Sequence, residues 1–237
     1  MATRDSGERQ APDVQVLPAV QDQELQDAIP NRRATDRRQP GKVHERQVVS
    51  AFVNYGRTRD ELEEMLFFCV AVAGKMSRTV GPAVKRFFED RDFHESPFDY
   101  LRRLLDNQQL LTQMRLHKLG QYTKLHKFSL HVTKERLDPT TAGLKALESI
   151  HGIGPKTARF FLLYTRPDQD IAVLDTHILA YLRERGHKVP FATPQNHKKY
   201  REIERTVLNM AKNNNMSPVE FDDYIWNMRS KKIQNRV

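Results

Sequence analysis

Eight residues, His151 to Ala158 (HGIGPKTA), restrict what this chain can become more than any other stretch. Gly152 and Gly154 flank a single apolar residue, so the backbone can turn sharply there and approach another backbone or a phosphate with no Cβ in the way. Pro155 fits the first position of a helix, where its missing N–H costs nothing, and Phe160 to Leu163 continue that helix. Upstream, Ala142 to Ser149 reads as a short helix running into the turn. The predicted unit, residues 142–164, is therefore helix, hairpin, helix. It aims free N–H groups and a helix N-terminus at one spot that attracts anions, phosphate above all.

Nineteen residues after Lys156 stands Asp175, in Val173-Leu174-Asp175-Thr176-His177-Ile178. The apolar residues before it draw the chain inward, and the spacing predicts Asp175 as the N-cap of a helix from Thr176 to Arg185. A lysine at one helix start and an aspartate at another could then face each other. Taken singly, Lys156 reads equally well as a phosphate contact and Asp175 as a cap.

From Val43 onward nearly every segment has helical period and no strand alternation persists, which predicts an all-α fold of ten or eleven helices with short connections. One helix is expected over Val43 to Tyr55. Thr58, with Glu61 three residues on, forms a capping box for the next, which runs to about Ala73. Another is expected from Val80 to Asp90, begun or interrupted at Gly81-Pro82, and one from Ser96 or Pro97 to Leu105. Two lie between Gln108 and Val132 with a break near Gly120, one spans Asn196 to Lys212, and the last is Val219 to Met228. Its Trp226, the chain's one tryptophan, reads as a core residue of an amphipathic helix in preference to a base-stacking platform.

Net charge is +9, and residues 1–42 hold seven basic and seven acidic side chains, so all of the excess lies in residues 43–237. That tail, rich in Pro, Gln, Asp and Arg and without periodicity, is expected to be disordered. The stretch from Asn107 to Lys134 has no acidic residue but holds Arg115, Lys118, Lys124, Lys127 and Lys134. Its apolar residues recur at three or four, which gives one core face and one basic face. The basic face is either a solvated surface or a phosphate-tracking one. The lone cysteine, Cys69, excludes a disulfide framework. No apolar run approaches the roughly 18 residues that span a bilayer, and the N-terminus has no apolar signal core, so a soluble, intracellular, non-secreted protein is expected.

At HGIGPKTA and VLDTHI the sequence resembles the helix-hairpin-helix DNA glycosylase superfamily, which includes endonuclease III and the 8-oxoguanine DNA glycosylases. His151 stands where that family usually has proline. The resemblance implies two helical subdomains with the active site in the cleft between them, within residues 43–237. It implies removal of a damaged base, 8-oxoguanine or another oxidised purine, followed by strand cleavage at the abasic site, with Lys156 as nucleophile and Asp175 stabilising charge. Gly152, Ile153, Gly154, Thr157 and His177 would contact DNA. The carbonyls of Ile150 and Ile153 would hold a monovalent cation, and one cysteine excludes the four-cysteine iron–sulfur cluster of endonuclease III. The expected partner is double-stranded DNA with a damaged base, bound by a monomer in the cytoplasm, nucleoid or nucleus. In the family an Asn or Gln wedge fills the gap left by the extruded base; here the segment reads Val72-Ala73-Gly74-Lys75-Met76-Ser77, without that amide. Two other readings remain open from the residues themselves: a catalytically inert hairpin module that only holds DNA, and a glycosylase without lyase activity.

Overall fold

The computed structural model describes residues 53–75 and 77–234, the last five of these as backbone only. The tail 1–42 and most of the helix expected over Val43 to Tyr55 lie outside the described residues. Where that helix was expected to end, Val53 to Tyr55 are coil and turn.

Among the described residues the fold is all-α. Ten helices follow in order: α1 Arg59–Ala71, α2 Ser77–Glu89, α3 Pro97–Asp106, α4 Leu110–Leu116, α5 Tyr122–Lys134, α6 Leu144–Ser149, α7 Pro155–Thr165, α8 Thr176–Glu184, α9 His197–Asn213 and α10 Pro218–Gln234. The polar signals act as the chemistry requires. Thr58 and Glu61 form the reciprocal capping box on α1, Ser96 caps α3, and Asn196 caps α9. Helix α2 departs from expectation. It begins at Ser77, with Pro82 inside it, because a proline in the second turn removes only one backbone bond while Val80, Ala83, Val84, Phe87 and Phe88 remain on the buried face.

Two apolar cores organise the chain. The first joins α1 to α7 around Phe67, Phe87, Leu101, Leu125, Phe128 and Phe161. The second joins α8, α9 and α10 around Leu174, Tyr181, Tyr200, Ile203, Phe221 and Ile225. Residues 171–174 run between them without helical structure. Successive side chains of an extended segment point to opposite faces, and here Ile171 and Val173 pack into the first core while Ala172 and Leu174 pack into the second. The four-residue segment is stitched to both cores, and it ends at Asp175.

A buried polar clamp fixes the same segment. Arg159, one turn after Lys156 on α7, is 3% exposed, and its Nε and Nη2 donate to the two carboxylate oxygens of Glu204 at 2.6 and 3.1 Å. Its Nη1 donates to Glu148 at 2.7 Å, and its guanidinium lies 4.3 Å from the Tyr200 ring centre. Glu204 also accepts the Ala172 N–H at 3.0 Å. Tyr200 brackets the segment, accepting from Leu174 N at 2.9 Å and donating to Ala172 O at 3.0 Å. Charge-assisted bonds thus connect the helix that begins beside Lys156 to the backbone three residues before Asp175.

Candidate active site

The hairpin forms as its glycines dictate, though the two act differently. Gly152 has φ +89°, the left-handed region that favours glycine, and a Cβ there would lie 3.2 Å from the Cγ and Cε of Lys124. Gly154 is the N-cap of α7, with extended backbone at φ −93° and ψ 178°. It supplies no side chain to the cap, and Pro155 has no N–H. The hairpin closes internally where Ile153 N donates to Ile150 O at 3.1 Å, and His151 N donates to His131 Nδ1 at 3.0 Å. Among the described residues, the N–H groups of Gly152, Gly154, Lys156 and Thr157 meet no protein acceptor. They are the free donors of a helix N-terminus.

Asp175 caps α8 as expected, its Oδ1 accepting from Ile178 N at 2.8 Å. The cap engages one carboxylate oxygen and leaves the second available. Both Lys156 and Asp175 are half-buried, and both open on one cavity of about 1170 Å³. Walls from the two cores line it. Phe68, Val72, Lys75, Lys124 and the hairpin come from the first-core side, and His177, Thr193, Gln195, Asp222 and Trp226 from the other. No ion pair engages the Lys156 ammonium among the described residues.

Of the residues expected to touch DNA, Gly152, Ile153, Gly154, Thr157 and His177 all line this cavity. The side chains of Ile153 and Thr157 are nonetheless packed away, at 4% and 8% exposure, so what they offer a ligand is chiefly backbone. Ile150 O, one of the two carbonyls expected at a cation, already accepts the Ile153 N–H and keeps one lone pair. Among the described residues no group of three or more His, Cys, Asp or Glu side chains could hold a metal ion.

Four cavity residues escaped the sequence reading. Trp226 is 50% exposed on the cavity wall, its ring edge-on to His177 with centres 6.2 Å apart; the expectation that it is core fails because Ile225 takes the buried position beside it. Asp222 and Asp223 sit on the same helix. The buried Tyr164 hydroxyl donates to Asp222 Oδ2 at 2.5 Å, and burial pushes the Asp222 carboxyl up to about 8, with nearby Asp175 adding to the effect. Lys124 belongs to the expected basic face of α5, yet it turns inward, Nζ donating to Val70 O at 3.2 Å. Of the five cations expected on that face, the other four, Arg115, Lys118, Lys127 and Lys134, are exposed.

The segment in the wedge position, residues 72–77, contributes Val72, Ala73, Gly74, Lys75 and Ser77 to the cavity wall; Met76 lies outside the described residues. The nearby amide of Gln121 donates to Ala71 O and Ala73 O at 3.0 and 2.8 Å, and Lys75 Nζ donates to Leu119 O at 3.2 Å. The Gln121 amide thereby caps the open end of α1.

The sequence and the fold have counterparts among known proteins. The 8-oxoguanine DNA glycosylase/AP lyase of Methanocaldococcus jannaschii is 34% identical over 87 residues, 37% of this chain and 42% of that protein. That of Picrophilus torridus is 33% identical over 87 residues, 37% of this chain and 41% of the other. The chain thus matches about two fifths of the length of these curated relatives. Among solved structures, the 8-oxoguanine DNA glycosylase of Thermotoga maritima superposes with a TM-score of 0.57 at 24% identity, covering 72% of this chain and 80% of that one. The M. jannaschii glycosylase/lyase in complex with 15mer DNA containing 8-oxoguanine gives 0.53 at 22% identity, covering 74% and 84%. A family model described as 8-oxoguanine DNA glycosylase matches residues 45–216, and with that span, the hairpin and the helical architecture in agreement, the chain belongs to the 8-oxoguanine DNA glycosylase family.

Proposed function

We propose that the chain removes 8-oxoguanine from double-stranded DNA and then cleaves the strand at the abasic site. One observation carries this reading. An amine without an ion-pair partner among the described residues and a carboxylate with a spare oxygen open on one cavity whose volume, about 1170 Å³, exceeds the roughly 300–1,000 Å³ of ordinary ligand sites. Such a cavity has room for an extruded nucleotide.

Breaking the N-glycosidic bond places positive charge on the sugar C1′, and the Asp175 carboxylate stabilises it. Lys156, in its neutral form, attacks C1′; the base departs with the bonding electrons and the proton that the amine sheds, and the C1′–O4′ bond then breaks to give an iminium on the lysine as O4′ takes a proton from water. Loss of a C2′ proton then expels the 3′ phosphate. The unpartnered N–H groups of the hairpin and the start of α7 hold backbone phosphates, with His177 beside them. Trp226 offers a flat apolar face to the extruded base. The hairpin carbonyls of Ile150 and Ile153 suit a monovalent cation shared with a phosphate. Residues 43–237 form the working unit, residues 1–42 a tail, and a monomer acts wherever the cell keeps its DNA.

Borohydride trapping on duplexes carrying single lesions tests the reading. The expected result is a covalent adduct on 8-oxoguanine DNA that disappears in Lys156→Gln. Asp175→Asn should bind the same DNA and turn over about 100- to 1,000-fold more slowly. Tight binding with no adduct on any lesion would leave a hairpin module that only holds DNA.

A further inference from the structure

Strand cleavage requires a base for the C2′ proton once Lys156 is consumed as the iminium. We propose that Lys124 is that base, an inference that rests on the lyase reading above. The position of Lys124 comes from three features. Its Nζ donates to Val70 O at 3.2 Å, at the open end of α1. Its methylenes lie across Gly152, whose missing Cβ makes the room: a Cβ there would sit 3.2 Å from both Cγ and Cε. The side chain lines the same cavity as Lys156 and Asp175.

The local chemistry makes this amine easier to deprotonate than an exposed lysine. Burial lowers the proton affinity of Lys124, and the neighbouring Lys156 charge lowers it further. No carboxylate pairs with it among the described residues. An iminium on Lys156 is still a cation, so the influence persists through the step that needs a base. A neutral amine donates one N–H to Val70 O and keeps its lone pair.

The other titratable groups on the cavity are less suited. Asp222 holds its proton up to about pH 8, Tyr164 donates to Asp222 and Asp223, Asp175 is engaged in its cap and faces the charge at C1′, Lys75 Nζ lies at Gly120 and not at the hairpin Gly152, and His177 lies against Trp226. The step balances as follows. The Lys124 lone pair takes the C2′ proton, the C–H electrons form the C1′–C2′ double bond of an enamine, and its electrons then expel the 3′ phosphate as the C3′–O bond breaks. Lys124 returns its proton to water.

Single-turnover assays on an 8-oxoguanine duplex, scoring base release and strand nicking separately, test this with Lys124→Gln and Lys124→Arg. In both variants the ratio of nicking to base release should fall about a hundredfold, with more borohydride-trapped adduct at a given extent of base release. Arginine fails to rescue because its guanidinium keeps its proton. A nicking ratio equal to the wild type in Lys124→Gln overturns the proposal while leaving the lyase reading intact. Restoration by arginine also overturns it, since charge alone would then suffice. A wild-type protein that yields no adduct removes both. To separate lost chemistry from lost fold, the same variants are given a duplex with a preformed abasic site: trapped adduct without nicking supports the proposal, and wild-type nicking of that substrate refutes it.

Discussion

Replacing Arg159 with methionine tests whether the buried clamp sets the geometry of the site. Met fills the volume of the side chain but leaves Glu204 and Glu148, whose side chains are 8% and 14% exposed, without their cation. Removing one partner of a buried, hydrogen-bonded ion pair costs about 3–5 kcal/mol, because the remaining charge stays desolvated. An exposed pair would cost about 0–1 kcal/mol. With a urea slope near 2 kcal/mol per M, the unfolding midpoint should drop by about 2 M. Function should suffer as well. Glu204 Oε1 takes both Arg159 Nε and Ala172 N, so its relaxation moves the segment that ends at Asp175, and a displacement near 1 Å can slow a reaction by about a hundredfold. Glu204→Gln, which keeps an acceptor for Ala172, should lose less rate than Glu204→Leu. A midpoint shift under about 0.5 M in Arg159→Met, or equal rates for the two Glu204 variants, would refute the idea that this network holds the two helix starts in register.

Further expectations follow from single positions. Gly152→Ala should cost about 1–3 kcal/mol in urea unfolding, because an alanine must hold φ +89° and displace Lys124; Gly154→Ala, in extended backbone, should cost under about 1 kcal/mol. Trp226→Ala should weaken binding to lesion DNA by about 1–3 kcal/mol, the value of one base stack, with almost no change in unfolding midpoint, since the ring is half-exposed. Between 3.8 and about 8, the folded protein keeps a proton on Asp222 that the unfolded chain releases. Stability from this group is therefore lost as pH rises through that window. The midpoint of Asp222→Asn relative to wild type should rise from pH 5 to pH 8, and a relative midpoint that does not change with pH would mean that the carboxyl is already ionised in the folded state.

What was legible in the sequence is what short-range chemistry decides. Thr58 with Glu61, Asp175 with Ile178, and Pro155 after Gly154 are all settled within three residues, and helix period alone revealed an all-α fold. Lys124 was misplaced for the opposite reason. Its inward turn depends on space left by Gly152, 28 positions away, and on a carbonyl at Val70, and nothing in the pattern of α5 encodes either. The Tyr164–Asp222 bond spans 58 positions and the Arg159–Glu204 pair 45. Arg159 interrupts an otherwise apolar stretch of α7, yet its partner is on a helix whose other charges are mostly exposed.

Two cores meeting at an extended segment fix the position of Asp175. Asp175 follows a four-residue stretch whose side chains alternate between the cores and whose backbone is bonded to Glu204 and Tyr200. Shifting that stretch by one residue would send Val173 and Leu174 to the wrong cores and break three polar bonds at once. Register is therefore enforced by packing and by hydrogen bonding independently. A cavity of about 1170 Å³ lies along the same seam, where side chains from both halves reach it.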